Sequence, residues 1–197
     1  MNNLNIENID TKQIIEKLNT MLKPKRLEHS INVAKCAIKL SEIYGYDKEK
    51  AYLAGLVHDC AKYFTKEQID SYVEKYNIEL DPLEVDNIAL SHSIIGSFAI
   101  QDVFNIQDMD IINAVRYHTT GKANMTMLEQ IIYLADFISA DRDYKDIDII
   151  RKETQRGIEY GLLYGTAYTI KSVASRQILL HPMTVEAYNW IIDEYFN

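Results

Sequence analysis

The sequence predicts an all-α protein, folded as a single helical bundle of roughly eight to ten helices. Apolar residues recur every three or four positions along most of its 197 residues, which is the period of an amphipathic helix. No alternating strand pattern of useful length is found. Seven glycines and three prolines are few, which indicates long helices with short connections. The length suits one domain over residues 1–197, with ample room for a core.

Composition narrows the classes of function. Hydrophobic residues make up 47% and charged residues 25%, as in ordinary globular proteins. The net charge of -8 argues against a non-specific nucleic-acid binder, which needs a basic surface. No stretch approaches the roughly 18 apolar residues of a membrane span, and the polar start lacks a signal-peptide pattern. We therefore expect a cytoplasmic protein without membrane partners. Cys36 and Cys60 do not make a disulfide framework.

The first two helices have clear boundaries. Residues 1–10 are polar, and we expect them to be frayed. Ile14 and Leu18 mark a first short helix. Pro24 suits the first turn of a second helix, and Gly45 is a plausible stop for it.

Capping signals place the next helices. Asp47 is a candidate N-cap for the third. Thr65 and Gln68 fit a capping box for a short fourth helix. The run Asp81-Pro82-Leu83-Glu84 combines an N-cap, a proline at the first helical position and an acid two residues later, so we predict a helix start there.

The second half continues in the same way. A helix gives way to a loop in the run Tyr117-His118-Thr119-Thr120-Gly121. Thr126 and Glu129 form another capping box, and the very apolar helix that they open carries Asp136. The pattern stays helical to the C-terminus, where Pro182 begins the last helix.

The pair His58-Asp59, at the end of an apolar run, is the first chemical signal. The two side chains point about 100° apart on a helix, so they can bind one ion from two sides or reach two ions. Lys62 shares a face with Asp59 and would place a cation beside an anionic substrate. Taken alone, the pair fits a buried histidine and aspartate satisfied by hydrogen bonds equally well.

The other histidines favour a metal site over a buried pair satisfied by hydrogen bonds. Four of the five lie on separate helical segments, and two acids lie in strongly apolar helices, where an unpaired carboxylate is costly. The groups are His29, His58, His92, His118, Asp59 and Asp136. Imidazoles with carboxylates suit iron, manganese or zinc better than magnesium. Six groups suffice for two ions bridged by one carboxylate, and such pairs, about 3.5–4 Å apart, promote in-line displacement at phosphorus.

The order of these residues resembles that of the HD-domain metal-dependent phosphohydrolases. Within them, the chain is similar to the bacterial YqeK-type symmetrical diadenosine tetraphosphate hydrolases, over about residues 20–185. The stretches that carry the resemblance are Arg26-Leu27-Glu28-His29-Ser30, Leu56-Val57-His58-Asp59-Cys60-Ala61-Lys62, Ser91-His92-Ser93, Tyr117-His118-Thr119-Thr120-Gly121 and the run from Leu128 through Asp136 to Ile138.

The resemblance implies a metal centre and a reaction. Its first ion would be held by His29, His58, Asp59 and Asp136, and its second by Asp59, His92 and His118. Iron is the expected metal, with manganese, cobalt or zinc as alternatives. A hydroxide bridging the two ions would split diadenosine tetraphosphate into two molecules of ADP, with Asp59 and Lys62 as catalytic residues.

The resemblance also implies substrate contacts. Arg26, Lys62 and Arg142 would neutralise phosphate charge, and Thr120 would contact the substrate, although a helix stop explains Thr120 equally well. The family has a Glu-Pro pair before this arginine, whereas this chain has Ser139-Ala140-Asp141-Arg142, and the sequence leaves open whether Asp141 takes the place of the glutamate. A homodimer is expected from the resemblance alone.

Three alternatives remain at this stage. The first is an HD phosphohydrolase for another nucleotide: a monophosphate, a deoxynucleoside triphosphate or a cyclic dinucleotide. The Gly-Tyr-Pro signature of the cyclic-dinucleotide group is absent. The second is a diiron oxygenase on the same scaffold, which shares the ligand set. The third is a non-catalytic module with a structural metal, which would gain little from Lys62.

Overall fold

Helices account for most of the part of the chain that the computed structural model describes, residues 11–197. Ten helices and no strands are found there, which confirms the all-α prediction. The helices are α1 (Thr11–Met21), α2 (Pro24–Tyr44), α3 (Lys48–Val57), α4 (Lys66–Tyr76), α5 (Ile88–Phe104), α6 (Met109–Tyr117), α7 (Met127–Ile138), α8 (Ile147–Arg156), α9 (Ile158–Ser175) and α10 (Pro182–Phe196). The expectation of fraying at residues 1–10 lies outside the described residues.

Most of the predicted helix boundaries are confirmed by their caps. The Asp47 carboxylate accepts hydrogen bonds from two backbone amides at the start of α3, at 2.8 and 3.1 Å. Thr65 with Gln68 and Thr126 with Glu129 form the two predicted capping boxes. The predicted starts at Pro24 and Pro182 and the predicted stop at Gly45 are also present.

The predicted helix start at Asp81 is wrong. The local contacts form as the sequence suggests: the amide of Leu83 donates to Asp81 Oδ1 at 2.8 Å, and the amide of Asp81 donates to Glu84 Oε2 at 2.7 Å. The turn then ends at Asp86, whose φ of 57° is left-handed and cannot continue a helix. The buried Glu84 is also held by His181, 3.1 Å away at the start of α10. This long-range pair fixes a single turn where the local signals indicate a helix.

Helix α7 lies at the centre of the packing. Eight consecutive residues, Leu128 to Ala135, are buried, and α7 contacts α2, α3, α6, α8 and α9. A helix that is apolar on every side is stable only when other helices surround it. Two of these neighbours, α3 and α6, end next to His58 and His118, and α2 carries His29, while His92 lies on α5, which packs on α6. Among residues 11–197, no helix is both long enough and apolar enough to cross a membrane.

Helices α2 and α3 approach each other at Gly55. A Cβ at this position would lie 2.8 Å from the Cα of Ala34 and 3.0 Å from its amide nitrogen. Backbone atoms cannot move aside as a flexible side chain can, so only glycine allows this approach. Gly55 lies one turn before His58, and His29 lies on α2. The close packing therefore sets the distance between these two histidines.

We predict that Gly55→Ala destabilises the protein by about 1–3 kcal/mol, the usual cost of forcing extra volume into a packed core. Gly165→Ala is the matched control, because its Cβ would meet its nearest neighbour, Phe137, at 3.8 Å. Alanine inside a helix should leave the control unchanged or stabilise it by about 0.5–1 kcal/mol. Urea denaturation measures both variants. Equal stability of the two would show that α2 and α3 can separate without cost.

Candidate metal centre

Four helices deliver four histidines to one buried point. His29 lies on α2 and His92 on α5, whereas His58 and His118 follow the last residues of α3 and α6. Each of these residues is at most 3% exposed. The ring centroids of His58 and His118 are 4.9 Å apart, and those of His92 and His118 are 5.1 Å apart. The structure thus brings together histidines that are far apart in the sequence.

Backbone carbonyl groups orient three of these rings. The Nδ1 atoms of His58, His92 and His118 each lie within hydrogen-bonding distance of a carbonyl oxygen of the preceding turn. The acceptors are Gly55 O at 2.7 Å, Ile88 O at 2.8 Å and Val115 O at 2.7 Å. An acceptor at Nδ1 requires the proton there, which leaves the Nε2 lone pair free for a metal. Burial also lowers the pKa of His92 and of His118, to about 4 for His118, so both rings stay neutral.

The Nε2 atoms and the carboxylates face one another as acceptors. His92 Nε2 and His118 Nε2 are 3.2 Å apart, and Asp59 Oδ1 lies 3.0 Å from His92 Nε2. His58 Nε2 and Asp59 Oδ1 are fully buried and have no hydrogen-bond partner within residues 11–197. Buried polar atoms in proteins are almost always paired. A cation between these atoms would satisfy them together, so the donor set fits a metal.

His29 completes the arrangement from the other side. Its Nε2 lies 2.8 Å from Asp136 Oδ1, and its Nδ1 lies 2.7 Å from Asp141 Oδ2. With the proton on Nδ1 shared with Asp141, Nε2 and Asp136 are again two acceptors facing each other. This pairing of a ligand imidazole with an outer carboxylate is common around bound metals.

The six predicted ligands form overlapping sets. The ligand atoms within each set lie within 4.8 Å of one another. The sets are His29, His58 and Asp59; His58, His118 and Asp136; and Asp59, His92 and His118. His58, Asp59 and His118 each belong to two sets, and Asp59 is the one carboxylate among them that two neighbouring ions could share. The cluster is compatible with divalent metal binding.

The two carboxylates of the cluster stay ionised. Burial acts against ionisation, but neighbouring positive and polar groups outweigh it, and the pKa values of Asp59 and Asp136 lie well below their usual range. For Asp59 the adjacent imidazole of His58 opposes the effect of burial most strongly, and for Asp136 the contact with His29 does so, followed by the charge of Arg142. Both groups are therefore anionic and able to bind cations at neutral pH.

Three cations line the open side of the cluster. Arg26, Lys62 and Arg142 all border a cavity of about 370 Å³ that also exposes Asp59 and Asp136. Arg26 Nη1 donates to Asp59 Oδ2 at 2.8 Å, and Arg142 Nε donates to the Asp136 carbonyl at 2.7 Å. Lys62 Nζ lies 3.8 Å from Asp59 Oδ1, and burial lowers the pKa of this lysine. The cavity therefore offers positive charge directly above the acidic cluster.

Thr120 does not reach this cavity. Its hydroxyl is buried and donates to the carbonyl of Gly121 at 3.0 Å. The cavity is lined instead by Thr119, whose hydroxyl lies 3.2 Å from His118 Nε2. Gly121, with a φ of +66°, ends the turn that follows α6 in a left-handed conformation. A substrate contact from this loop would come from Thr119.

The sequence left open whether Asp141 takes the place of the family's glutamate, and it did not predict the contact of Asp141 with His29. The hydrogen bond spans 112 residues along the chain, and Asp141 follows the end of α7 by three residues. The only sequence signal for a role of Asp141 was its position next to Arg142. His181, in contrast, lies outside the cluster and pairs with Glu84.

The sequence did not identify which aromatic residues line the cavity. Phe137, Tyr144 and Tyr168 line it beside the cations. The sequence contains 14 tyrosines, and nothing in their spacing separates these two from the rest. The tertiary structure places them: Tyr168 is on α9, which packs on α7, and Tyr144 lies in the segment that follows α7.

We predict that Asp141→Ala weakens metal affinity about 10- to 100-fold, because His29 loses the group that orients its ring. Asp143→Ala is the control, since this exposed acid lies on the same loop and changes the net charge equally. Isothermal titration calorimetry with the metal measures the affinity of both variants and of the wild type. Identical affinities for both variants would mean that Asp141 has no part in holding the metal.

Comparison with known families agrees with this geometry. The family model described as HD domain matches residues 26–141, a range that contains all six candidate ligands. Two bacterial proteins named symmetrical bis(5'-nucleosyl)-tetraphosphatase are similar over most of their length. The Bacillus subtilis protein is 32% identical over 85% of this chain and 89% of its own. The Staphylococcus aureus protein is 34% identical over 89% of each.

A solved structure shows the same fold. It is a crystal structure from Clostridium acetobutylicum of an HD superfamily hydrolase described as involved in NAD metabolism. The TM-score is 0.89 with 38% sequence identity, over 94% of this chain and 98% of that one. The overall fold is therefore shared with an experimentally determined structure.

Proposed function

Because the chain belongs to the HD domain family, we propose that it is a metal-dependent phosphohydrolase that splits diadenosine tetraphosphate symmetrically into two molecules of ADP. The observation that carries the proposal is a buried cluster of six ligand groups beneath a cavity lined by three cations. The names of the Bacillus subtilis and Staphylococcus aureus relatives support the substrate and the position of cleavage.

Two ions, with iron as the expected metal, fit the overlapping ligand sets. His29, His58, Asp59 and Asp136 would hold one ion, and Asp59, His92 and His118 would hold the other. When bound, such ions lower the pKa of a water molecule and neutralise phosphate charge. The Nδ1 hydrogen bonds of the four histidines keep their rings fixed, so the ligands need little rearrangement on binding.

The cations act on the substrate. A tetraphosphate is highly anionic, and the chain carries a net charge of -8. The substrate therefore has to be attracted by positive charge close to the cavity, because the protein as a whole repels it. Arg26 and Arg142 are each fixed by a carboxylate of the cluster and present their remaining N–H groups to phosphate oxygens. Lys62, whose flexible stem carries three donors, is placed to neutralise the charge that develops on the departing ADP.

Product analysis tests the reaction. Purified protein, loaded separately with iron, manganese or cobalt, is given diadenosine tetraphosphate, and the products are separated by chromatography. We expect ADP as the sole product, with none formed in the presence of a chelator. Asp59→Ala serves as the inactive control, because Asp59 belongs to two ligand sets.

Other products would contradict the proposal in distinct ways. ATP with AMP would show attack at a different phosphorus. Symmetrical cleavage would then be wrong, but the protein would still be a hydrolase of diadenosine tetraphosphate. No cleavage with any metal would favour the other HD substrates, tested with a panel of nucleoside monophosphates, deoxynucleoside triphosphates and cyclic dinucleotides. Oxygen consumption without hydrolysis would instead favour the diiron oxygenase.

We predict that Lys62→Ala lowers kcat about 10-fold or more while the bound metal stays at the wild-type level, because Lys62 contacts substrate and is not a ligand. Lys66→Ala is the matched control: this lysine lies one turn further on and its side chain is 65% exposed. The exposed ion pairs of Lys66 contribute little to the stability of the protein. Steady-state kinetics and metal analysis compare the variants. Loss of metal in Lys62→Ala would make its role structural.

A further inference from the structure

The cavity above the metal cluster has two chemically different parts. One part is charged, and the other is aromatic. The charged part is formed by Arg26, Lys62 and Arg142, and the aromatic part by Phe137, Tyr144 and Tyr168. Phosphate groups bind to the charged part, whereas the faces of the three aromatic rings offer no donor to an anion. The second part therefore calls for a different group of the ligand.

The three rings form a defined corner. The centroids of Tyr144 and Tyr168 are 4.8 Å apart with an interplanar angle of 36°. Phe137 meets both rings nearly at right angles, at 6.3 Å from Tyr144 and 6.4 Å from Tyr168. The Tyr144 hydroxyl donates to the Phe137 carbonyl at 2.9 Å, which fixes its ring. These are the spacings of favourable aromatic contacts, so the corner is preformed.

Core packing does not account for the two tyrosines. Neither ring belongs to the buried hydrophobic cluster or to the partly buried side chains packed against it. Both remain partly accessible on the cavity side. Among residues 11–197, the hydroxyl of Tyr168 makes no hydrogen bond, although it is an ordinary donor and acceptor. An apolar face with a free polar edge is suited to a heteroaromatic ring.

One short segment connects the two parts of the cavity. Residues 139–146 join α7 to α8. Asp141 in this segment holds His29, Arg142 holds Asp136, and Tyr144 follows two residues later. The segment thus leads from the metal cluster through a phosphate-binding cation to an aromatic ring. A nucleotide has the same order of groups: phosphates at one end, then the sugar, then the base.

We propose that the Tyr144–Tyr168 pair forms a stacking subsite for one nucleobase of the substrate, an inference that rests on the proposed function. Stacking on aromatic side chains is a common means of holding bases, and it tolerates any base because every base has a π-face. Tyr168 supplies the accessible ring, and Tyr144 supports it. Phosphate contacts then fix the scissile bonds over the metal cluster, while the subsite fixes the nucleoside.

Two ligands separate base binding from phosphate binding. ADP carries phosphates and a base, whereas methylenediphosphonate carries only the phosphate-like groups. Their affinities for manganese-loaded protein are measured by calorimetry for the wild type and for Tyr168→Leu. Tyr168→Phe retains the ring, and Tyr164→Leu removes a tyrosine from the same helix that is 41% exposed and does not line the cavity.

We expect Tyr168→Leu to weaken ADP about 10-fold or more, the usual effect of losing one stacking ring, and to leave methylenediphosphonate unchanged. Tyr168→Phe and Tyr164→Leu should bind both ligands like the wild type. The subsite would be contradicted if Tyr168→Leu bound ADP with wild-type affinity. It would also be contradicted if the variant lost the same amount of affinity for ADP and for methylenediphosphonate. If the wild type binds ADP in this Tyr168-dependent way but does not cleave diadenosine tetraphosphate, the subsite stands and the proposed reaction fails.

Discussion

Several buried acceptor atoms converge on one point of this protein, and the rest of the structure is arranged around that constraint. His92 Nε2 and His118 Nε2 lie 3.2 Å apart, and Asp59 Oδ1 lies 3.0 Å from the first of them. Two lone pairs at such a distance repel unless a positive species lies between them. An ordinary core would pair each acceptor with a donor. This core leaves His58 Nε2 and Asp59 Oδ1 without hydrogen-bond partners in the described part of the chain.

The helices are built to hold these atoms in place. His58 and His118 follow the last residues of α3 and α6, where backbone carbonyls no longer accept bonds within the helix. Each ring uses one of these carbonyls to fix its proton on Nδ1. The fully apolar middle of α7 packs against α2, α3 and α6, and Asp136 lies near its end. Rigid packing around the cluster keeps the ligands close together in spite of their charge.

Charge and apolar surface are divided within the cavity in the same way as in a nucleotide. The protein as a whole is acidic, and positive charge is gathered where Arg26, Lys62 and Arg142 line the opening. The aromatic corner lies beside these cations, and the segment of residues 139–146 contributes to both.

The sequence by itself determined the helices, most of their boundaries and the six candidate ligands. These follow from local rules: the helical period, caps that bond within three residues, and histidines and acids in apolar surroundings. The tertiary structure decided what depends on contacts between distant residues. Glu84 meets His181, 97 residues away, which stops a helix that the local signals favour. Asp141 reaches His29 across 112 residues. Thr119 faces the cavity and Thr120 does not, because the direction of each side chain is set by the loop that follows α6. Two of 14 tyrosines line the cavity, because α9 brings Tyr168 to Phe137 of α7 and the segment after α7 folds Tyr144 back onto both rings. Local sequence rules do not predict such contacts between distant elements.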